Sequence, residues 1–221
     1  MSTLESFKQE YETDPADLTI RGRKFHFLVP RSIDGFLDHE DPLRDFPLWS
    51  KIWEASVVLA DYLAGLEPDP QREMLEIGCG VGVSGIVAAA FGHRVTLTES
   101  NRHALNFVRA NAEINLPESA SFPGILMLDW NRPKIEGAFD VILGSEVVYK
   151  EADFAPLLGL FRRYLKPNGL VILAEGLRST SLSFFRQMAL HFDIEARKKV
   201  LRSAEKETRV LLCTMAPKKP H

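Results

Sequence analysis

The sequence predicts an α/β fold built on one doubly wound, mostly parallel sheet, with an N-terminal hairpin-and-helix extension. Three observations carry this reading. From Met74 onward, short continuous apolar runs alternate with stretches of helical periodicity. The first run leads into a glycine-rich turn, "LEIGCGVGVSG" (75–85), as a strand–turn–helix unit should. The last two apolar runs, "FDIEARKKV" and "TRVLLCTMA", are joined by too short a polar turn for a crossover helix. They must therefore pair as an antiparallel hairpin at the sheet edge.

In chain order, residues 1 to about 16 read as a polar, loosely held arm, and "LTIRGRKFHFLV" (18–29) as two short strands about Arg21–Gly22–Arg23. An acidic loop follows, carrying Asp34, Asp38, Glu40, Asp41 and Asp45; it is either a solvated loop or a face toward a basic substrate. "PLWSKIWEASVVLADYL" (47–63) spaces Ile52, Ala55, Val58, Leu59 and Tyr62/Leu63 as a helix does, and "EPDPQ" ends it. Strands are expected at 74–78, 94–98, 125–129, 139–144 and 169–174, with helices at about 83–91, 101–115, 153–165 and 181–190. Runs such as "VILG" and "LVILA" are apolar at every position, as befits parallel strands covered on both faces. Residues 1–70 thus form an extension and 71–221 the sheet domain. Five parallel strands plus the hairpin make seven.

The glycine turn carries two fingerprints at once. Gly80, Gly82 and Gly85 spell G-x-G-x-x-G, the dinucleotide pattern. Glu76, Gly78, Gly80 and Gly82 spell E-x-G-x-G-x-G, the pattern of S-adenosyl-L-methionine (SAM) methyltransferases. Both patterns want an acid at the end of the second strand for ribose hydroxyls, and Glu99 in "VTLTES" supplies it, so neither feature separates them. Three others do. Glu76 is a charge inside an apolar strand, costly without polar partners, and its expected role is near the methionine ammonium of SAM. "LMLDWN" ends the third strand in Asp129, an acceptor for an adenine amino group, and Trp130, an indole to pack on the ring or in the core. "FRRYLKPNGLVILAE" resembles the "LKPGG" element of SAM methyltransferases. The loop is expected to hold SAM, on a Rossmann-like sheet of the class I layout.

Composition excludes other classes. The 221 residues are 45% hydrophobic and 26% charged with a net charge of −3, so there is no broad basic footprint for nucleic acid. Two cysteines, Cys79 and Cys213, make no disulfide framework and fit a reducing cytoplasm. No apolar run approaches membrane length. The six histidines have no ligand spacing, so no metal is expected. The fourth strand is not followed by [DN]-P-P-Y, which disfavours methylation of base amino groups or glutamine amides.

"KIWEASVVLADYL", the glycine segment through "TES", "LDWN" and "DVILGSEVVYKEADFAPLL" together resemble the seven-β-strand protein-lysine methyltransferase-like family (methyltransferase family 16) and its bacterial relatives. The resemblance runs from about Phe46 to Ala174. It implies that Trp53, which begins the helix ahead of the glycine loop, packs near the cofactor. It also implies that the family's D-x-x-Y after the fourth strand becomes Glu146–Val147–Val148–Tyr149, with Glu in place of Asp. Glu146 and Tyr149 would frame an amine-accepting pocket. For Glu146 the alternative is a helix N-terminal acid, and for Tyr149 a lid residue. The leading expectation is a SAM-dependent N-methyltransferase acting on a protein lysine. The alternatives are small-molecule amine or pyridine N-methylation, and a catalytically silent SAM-binding module.

Overall fold

The computed structural model of the chain describes residues 3–41, 46–117, 122–202 and 207–219; Asp45 of the acidic loop lies outside them. The N-terminal elements are α1 (Thr3–Glu10), β1 (Thr13–Ile20) and β2 (Arg23–Pro30). Residues 3–16 are therefore not a loose arm. Phe7 and Tyr11, one helical turn apart, are buried, and their rings meet Phe107 at 4.8 and 5.1 Å. The hairpin turns on two residues in the left-handed region, Arg21 (φ 47°) and Gly22 (φ 81°), the turn geometry that matches strand twist. Its first strand starts five residues before the expected point, because Asp14, Pro15 and Asp17 are poor strand formers that cross-strand pairing overrides.

A 3₁₀ turn (Leu48–Ser50) leads into α2 (Glu54–Ala64). There follow β3 (Glu73–Ile77), α3 (Val83–Ala90), β4 (Arg94–Glu99), α4 (Arg102–Asn115), β5 (Gly124–Met127), β6 (Phe139–Ser145), α5 (Phe154–Tyr164), β7 (Leu165–Gly176), α6 (Ser179–Met188), β8 (Phe192–Arg202) and β9 (Glu207–Pro217). The sheet order is β5-β4-β3-β6-β7-β9-β8. Pairings among β3 to β7 are parallel, and β9 runs antiparallel between β7 and β8. The Lys166–Gly169 turn is absorbed into β7 as an irregularity: Phe139 pairs with Leu165, but Val141 pairs with Leu170.

Strand alternation sorts the core into two layers. Met74 faces Leu63, Val87 and Phe107, in a cluster shared by α2, α3, α4, α1 and the hairpin. Leu75 and Ile77 face Leu157, Phe161 and Phe184 on the α5–α6 side. The hairpin is fixed to α4 by side-chain amides. Asn111 Oδ1 accepts from Leu28 N (2.7 Å), and its Nδ2 donates to Leu28 O (3.1 Å) and Val81 O (3.0 Å). One turn on, Asn115 Oδ1 accepts from His26 N (2.8 Å) and its Nδ2 donates to His26 O (2.8 Å). Among the described residues no helix is long and apolar enough to cross a membrane.

Candidate active site

β3 pairs with β4 on one side and β6 on the other, so the chain reverses its winding direction there and leaves a crevice at the strands' carboxyl ends. A cavity of about 720 Å³ lies at this point, bordered by Trp53, the Gly78–Gly80 turn, Glu99, Asp129, Trp130, Glu146 and Tyr149. That is the size of a small-molecule site. Eight of the expected positions thus come together.

The glycine turn has a geometry that serves both fingerprints. Gly78, Gly80 and Gly82 have φ of +58°, +55° and +91°, the left-handed region that disfavours side chains. A Cβ on Gly80 would also come 3.3 Å from the Trp49 carbonyl. Gly85 is different: it sits inside α3, where a Cβ would collide with Glu76 Oε2 and with Leu97. The three left-handed glycines are those of E-x-G-x-G-x-G, while Gly85 serves close helix–strand packing, the part the last glycine also plays in the dinucleotide pattern.

That packing places Glu76. Alternation along β3 turns it away from Leu75 and Ile77, under the first turn of α3, 1% exposed and outside the crevice lining. Its carboxyl oxygens make no well-formed hydrogen bond. Burial pushes its pKa up to about 8, against the pull of the nearby Ser84 hydroxyl and Gly85 amide. The expected role beside the methionine ammonium therefore does not fit: Glu76 is an acid buried behind the loop.

Glu99, at the end of β4, accepts from Gly80 N at 3.1 Å, and from Ser100 N (2.7 Å) and Asn101 N (3.1 Å) through its other oxygen. It thereby ties the glycine turn to the start of α4, with its carboxylate on the crevice wall. Asp129 lies two residues beyond β5 rather than within it, and its Oδ1 accepts from Asn131 N at 2.9 Å. The Trp130 ring passes close over Gly78, where a Cβ would come 3.4 Å from it. Trp53 caps the start of α2 and donates its indole N–H to Leu48 O at 2.7 Å, which fixes the ring plane on the rim. Its ring meets Tyr149 edge to face at 6.4 Å. The hairpin, by contrast, contributes nothing to the described lining; the cover comes from Phe46 to Ser56.

The segment after β6 is stapled to the end of β7 in both directions. Glu146 has a left-handed φ of 52°, a conformation costing roughly 1–3 kcal/mol that the surroundings must enforce. Its N–H donates to Ala174 O (2.9 Å), its Oε1 accepts from Gly176 N (2.9 Å), and its Oε2 pairs with Arg178 at 2.5 Å. Reciprocally, Glu175 Oε1 accepts from Val147 N (2.8 Å) and Val148 N (3.3 Å), while its Oε2 meets Arg178 at 3.1 Å. Arg178 also donates to Val148 O at 3.3 Å and lies 5.0 Å from the Tyr149 ring centre. Burial, then the neighbouring Glu146, push the Glu175 pKa up to about 8, with the Val147 amide and Arg178 opposing. Burial likewise raises the Tyr149 phenol. Sequence reasoning gave Glu175 and Arg178 no role. The signal was present: Glu175 is a charge closing an apolar strand, as Glu76 is in β3.

Together, a left-handed glycine cradle, an acid at the second parallel strand's end and an Asp–Trp pair beyond the third define a SAM-dependent methyltransferase. SAM fits this site because the left-handed glycines let a ligand approach the backbone closely, and Glu99, a hydrogen-bond acceptor, borders the same crevice. Among the described residues no cluster could hold a metal ion. Residues 43–191 match a family described as lysine methyltransferase, and the chain belongs to that family. Protein N-lysine methyltransferase METTL21A of Xenopus tropicalis is 33% identical over 147 residues, 65% of this chain and 68% of that protein. EEF1A lysine methyltransferase 3 of Mus musculus is 32% identical over 152 residues, 66% of this chain and 65% of that one. In fold the chain is similar to magnesium protoporphyrin IX methyltransferase from Synechocystis with bound SAM, at TM-score 0.57 and 17% identity over 73% of this chain and 77% of that one. It is also similar to the Pyrococcus abyssi tRNA (uracil-54, C5)-methyltransferase with S-adenosyl-L-homocysteine, at TM-score 0.61 and 15% identity over 93% of this chain and 45% of that one.

Proposed function

We propose that the protein transfers the methyl group of SAM to a lysine amine of a protein substrate. The reading is carried by one observation: the crevice that contains the glycine cradle and Glu99 continues to an aromatic end formed by Trp53 and Tyr149. Gly78, Gly80 and Gly82 would cradle the cofactor, Glu99 would accept from its ribose hydroxyls, and Asp129 and Trp130 would hold the adenine. Bound SAM supplies an electrophilic methyl on a sulfonium that is its own leaving group. The protein's work is then alignment and exclusion of water.

A lysine in water is overwhelmingly protonated at neutral pH, so the acceptor must lose a proton before attack. Trp53 and Tyr149 provide the apolar walls that desolvate the ammonium and guide the aliphatic stem. Glu146 is already engaged by Gly176 N–H and Arg178. It therefore acts as a positioning residue that sets Tyr149, and the proton leaves to water. Residues 46–56 cover the cofactor, and residues 71–221 bind it. The acidic loop approaches the same rim, since Phe36 packs on the crevice residue Trp49 at 5.0 Å, and its Asp34 and Asp38 would favour a basic substrate.

The test incubates the purified protein with labelled SAM and a host lysate. Label recovered as methyllysine after acid hydrolysis of a protein band is the expected result. Label confined to small molecules would overturn the protein-lysine reading.

A further inference from the structure

The crevice already contains a lysine. Lys51 lies between the 3₁₀ turn and α2, is exposed, and borders the same cavity as Glu99 and Tyr149. Its Nζ sits 3.6 Å from the centre of the Trp53 ring. The indole is pinned by its bond to Leu48 O, so its face is presented to this ammonium as a fixed surface. Trp53 in turn touches Tyr149. A second lysine on the rim, Lys150, has its ammonium 4.0 Å from Asp153, whereas among the described residues Lys51 makes no ion pair. Among the described residues the Lys51 ammonium rests on the indole face, a contact that its four-carbon stem can leave without breaking an ion pair.

The geometry points to Lys51 as an internal acceptor: the enzyme methylates its own Lys51, in cis, at the aromatic end of the crevice. This rests on the methyltransferase reading above. Lys51 Nζ first releases a proton to water. An N–CH₃ bond then forms as the cofactor's S–CH₃ bond breaks, the sulfonium leaves as a neutral thioether, and the nitrogen becomes a methylammonium. The four-carbon stem lets the ammonium leave the Trp53 face and return to it methylated, since aromatic faces also receive methylated ammonium groups.

The experiment uses the full chain with deuteromethyl-labelled SAM and no other protein, followed by digestion and mass spectrometry. Labelled methyl groups on Lys51 are expected, with an initial rate per molecule that is constant over a tenfold range of protein concentration. Lys51→Arg keeps the positive charge and should lose at least tenfold of the label, while Lys150→Arg keeps it. An unlabelled Lys51, or a rate per molecule that climbs with protein concentration, would overturn the inference. A parallel arm with lysate separates the two readings. Label entering other proteins while Lys51 stays bare refutes self-methylation alone, and label confined to small molecules removes the protein-lysine reading.

Discussion

Arg178→Met removes the cation that joins Glu146 and Glu175, and its cost follows from the distances. The guanidinium contacts the two carboxyls at 2.5 and 3.1 Å and the Val148 carbonyl at 3.3 Å. Breaking a fully buried pair costs about 3–5 kcal/mol. The Arg178 side chain is 36% exposed, however, so solvent screening reduces this to about 2 kcal/mol under alkaline conditions. The cost must depend on pH. Glu175 titrates at about 8 in the folded protein against an ordinary 4.5, and Arg178 is one of the groups holding that value down. At pH 6 Glu175 is protonated in parent and variant alike, and the penalty is about 1 kcal/mol, from the remaining contacts. At pH 9 the parent carries a charge that Arg178 neutralises. The variant must either bury that charge unpaired or bind a proton against the bulk pH. Thermal melts at the two pH values should therefore show the variant's melting temperature lower by about 2–4 °C at pH 6 and about 4–8 °C at pH 9. Adding Glu175→Gln to the variant should remove the pH dependence, because the amide still accepts from Val147 and Val148. A penalty that is equal at both pH values would refute the assignment of Glu175 as the titrating partner.

Glu76 should contribute a similar slope: its folded pKa of about 8 lies above the unfolded value, so stability is full below about pH 4.5 and is lost as pH rises through 8. Glu76→Gln should flatten the parent's decline by up to about 1.4 kcal/mol per pH unit between pH 6 and 8 in denaturant titrations, and a parallel decline would refute it. Glu99→Ala should weaken SAM binding about tenfold or more by calorimetry, with the fold retained, and SAM but not NAD should raise the parent's melting temperature; unchanged affinity would remove Glu99 from the ribose site. Tyr149→Phe keeps the Trp53 contact and should lower kcat/KM severalfold with SAM affinity intact. Glu146→Gln should lower it by about tenfold, and parental turnover in the latter would end its positioning role.

Much of the sheet was legible because parallel strands buried on both faces must be apolar at nearly every position, a pattern that loops and surface helices do not imitate. Short amphipathic pieces were harder to read. α1 is a single short helix anchored by Leu4 and Phe7, and residues 13–17 of β1 read as part of a loose arm because the interactions that form that half of the strand lie on β2. Gly78, Gly80, Gly82 and Glu99 were legible since close backbone approach and an acid at a strand end are local requirements. Glu76 stands out as a charge in an apolar strand, yet it lies under α3 and not in the crevice lining. The alternation that turns it under α3 was readable from Leu75 and Ile77, whereas the gap that Gly85 leaves there is tertiary. Of the Glu146–Arg178–Glu175 clamp only Glu175, a charge ending an apolar strand, is legible, since Glu146 meets the other two only when β6 and β7 lie side by side.

The pairing of Asn111 and Asn115 with β2 makes a helix serve as the template for a strand. Four residues of α-helix advance about 6.0 Å, and two residues of β-strand about 6.7 Å. Two amides one turn apart can therefore address alternate strand residues, His26 and Leu28, with each amide imitating the donor and acceptor of a neighbouring strand. Such a ruler has a single setting. Sliding β2 by one residue would present both amides with backbone groups aimed the other way, and would expel Phe25 and Phe27 from the core at the same step. Since Asn111 also holds Val81 O in the glycine turn, the hairpin's alignment is measured against the cofactor loop itself. An insertion or deletion of one residue in this hairpin would therefore be felt at the cradle, through an amide that touches both.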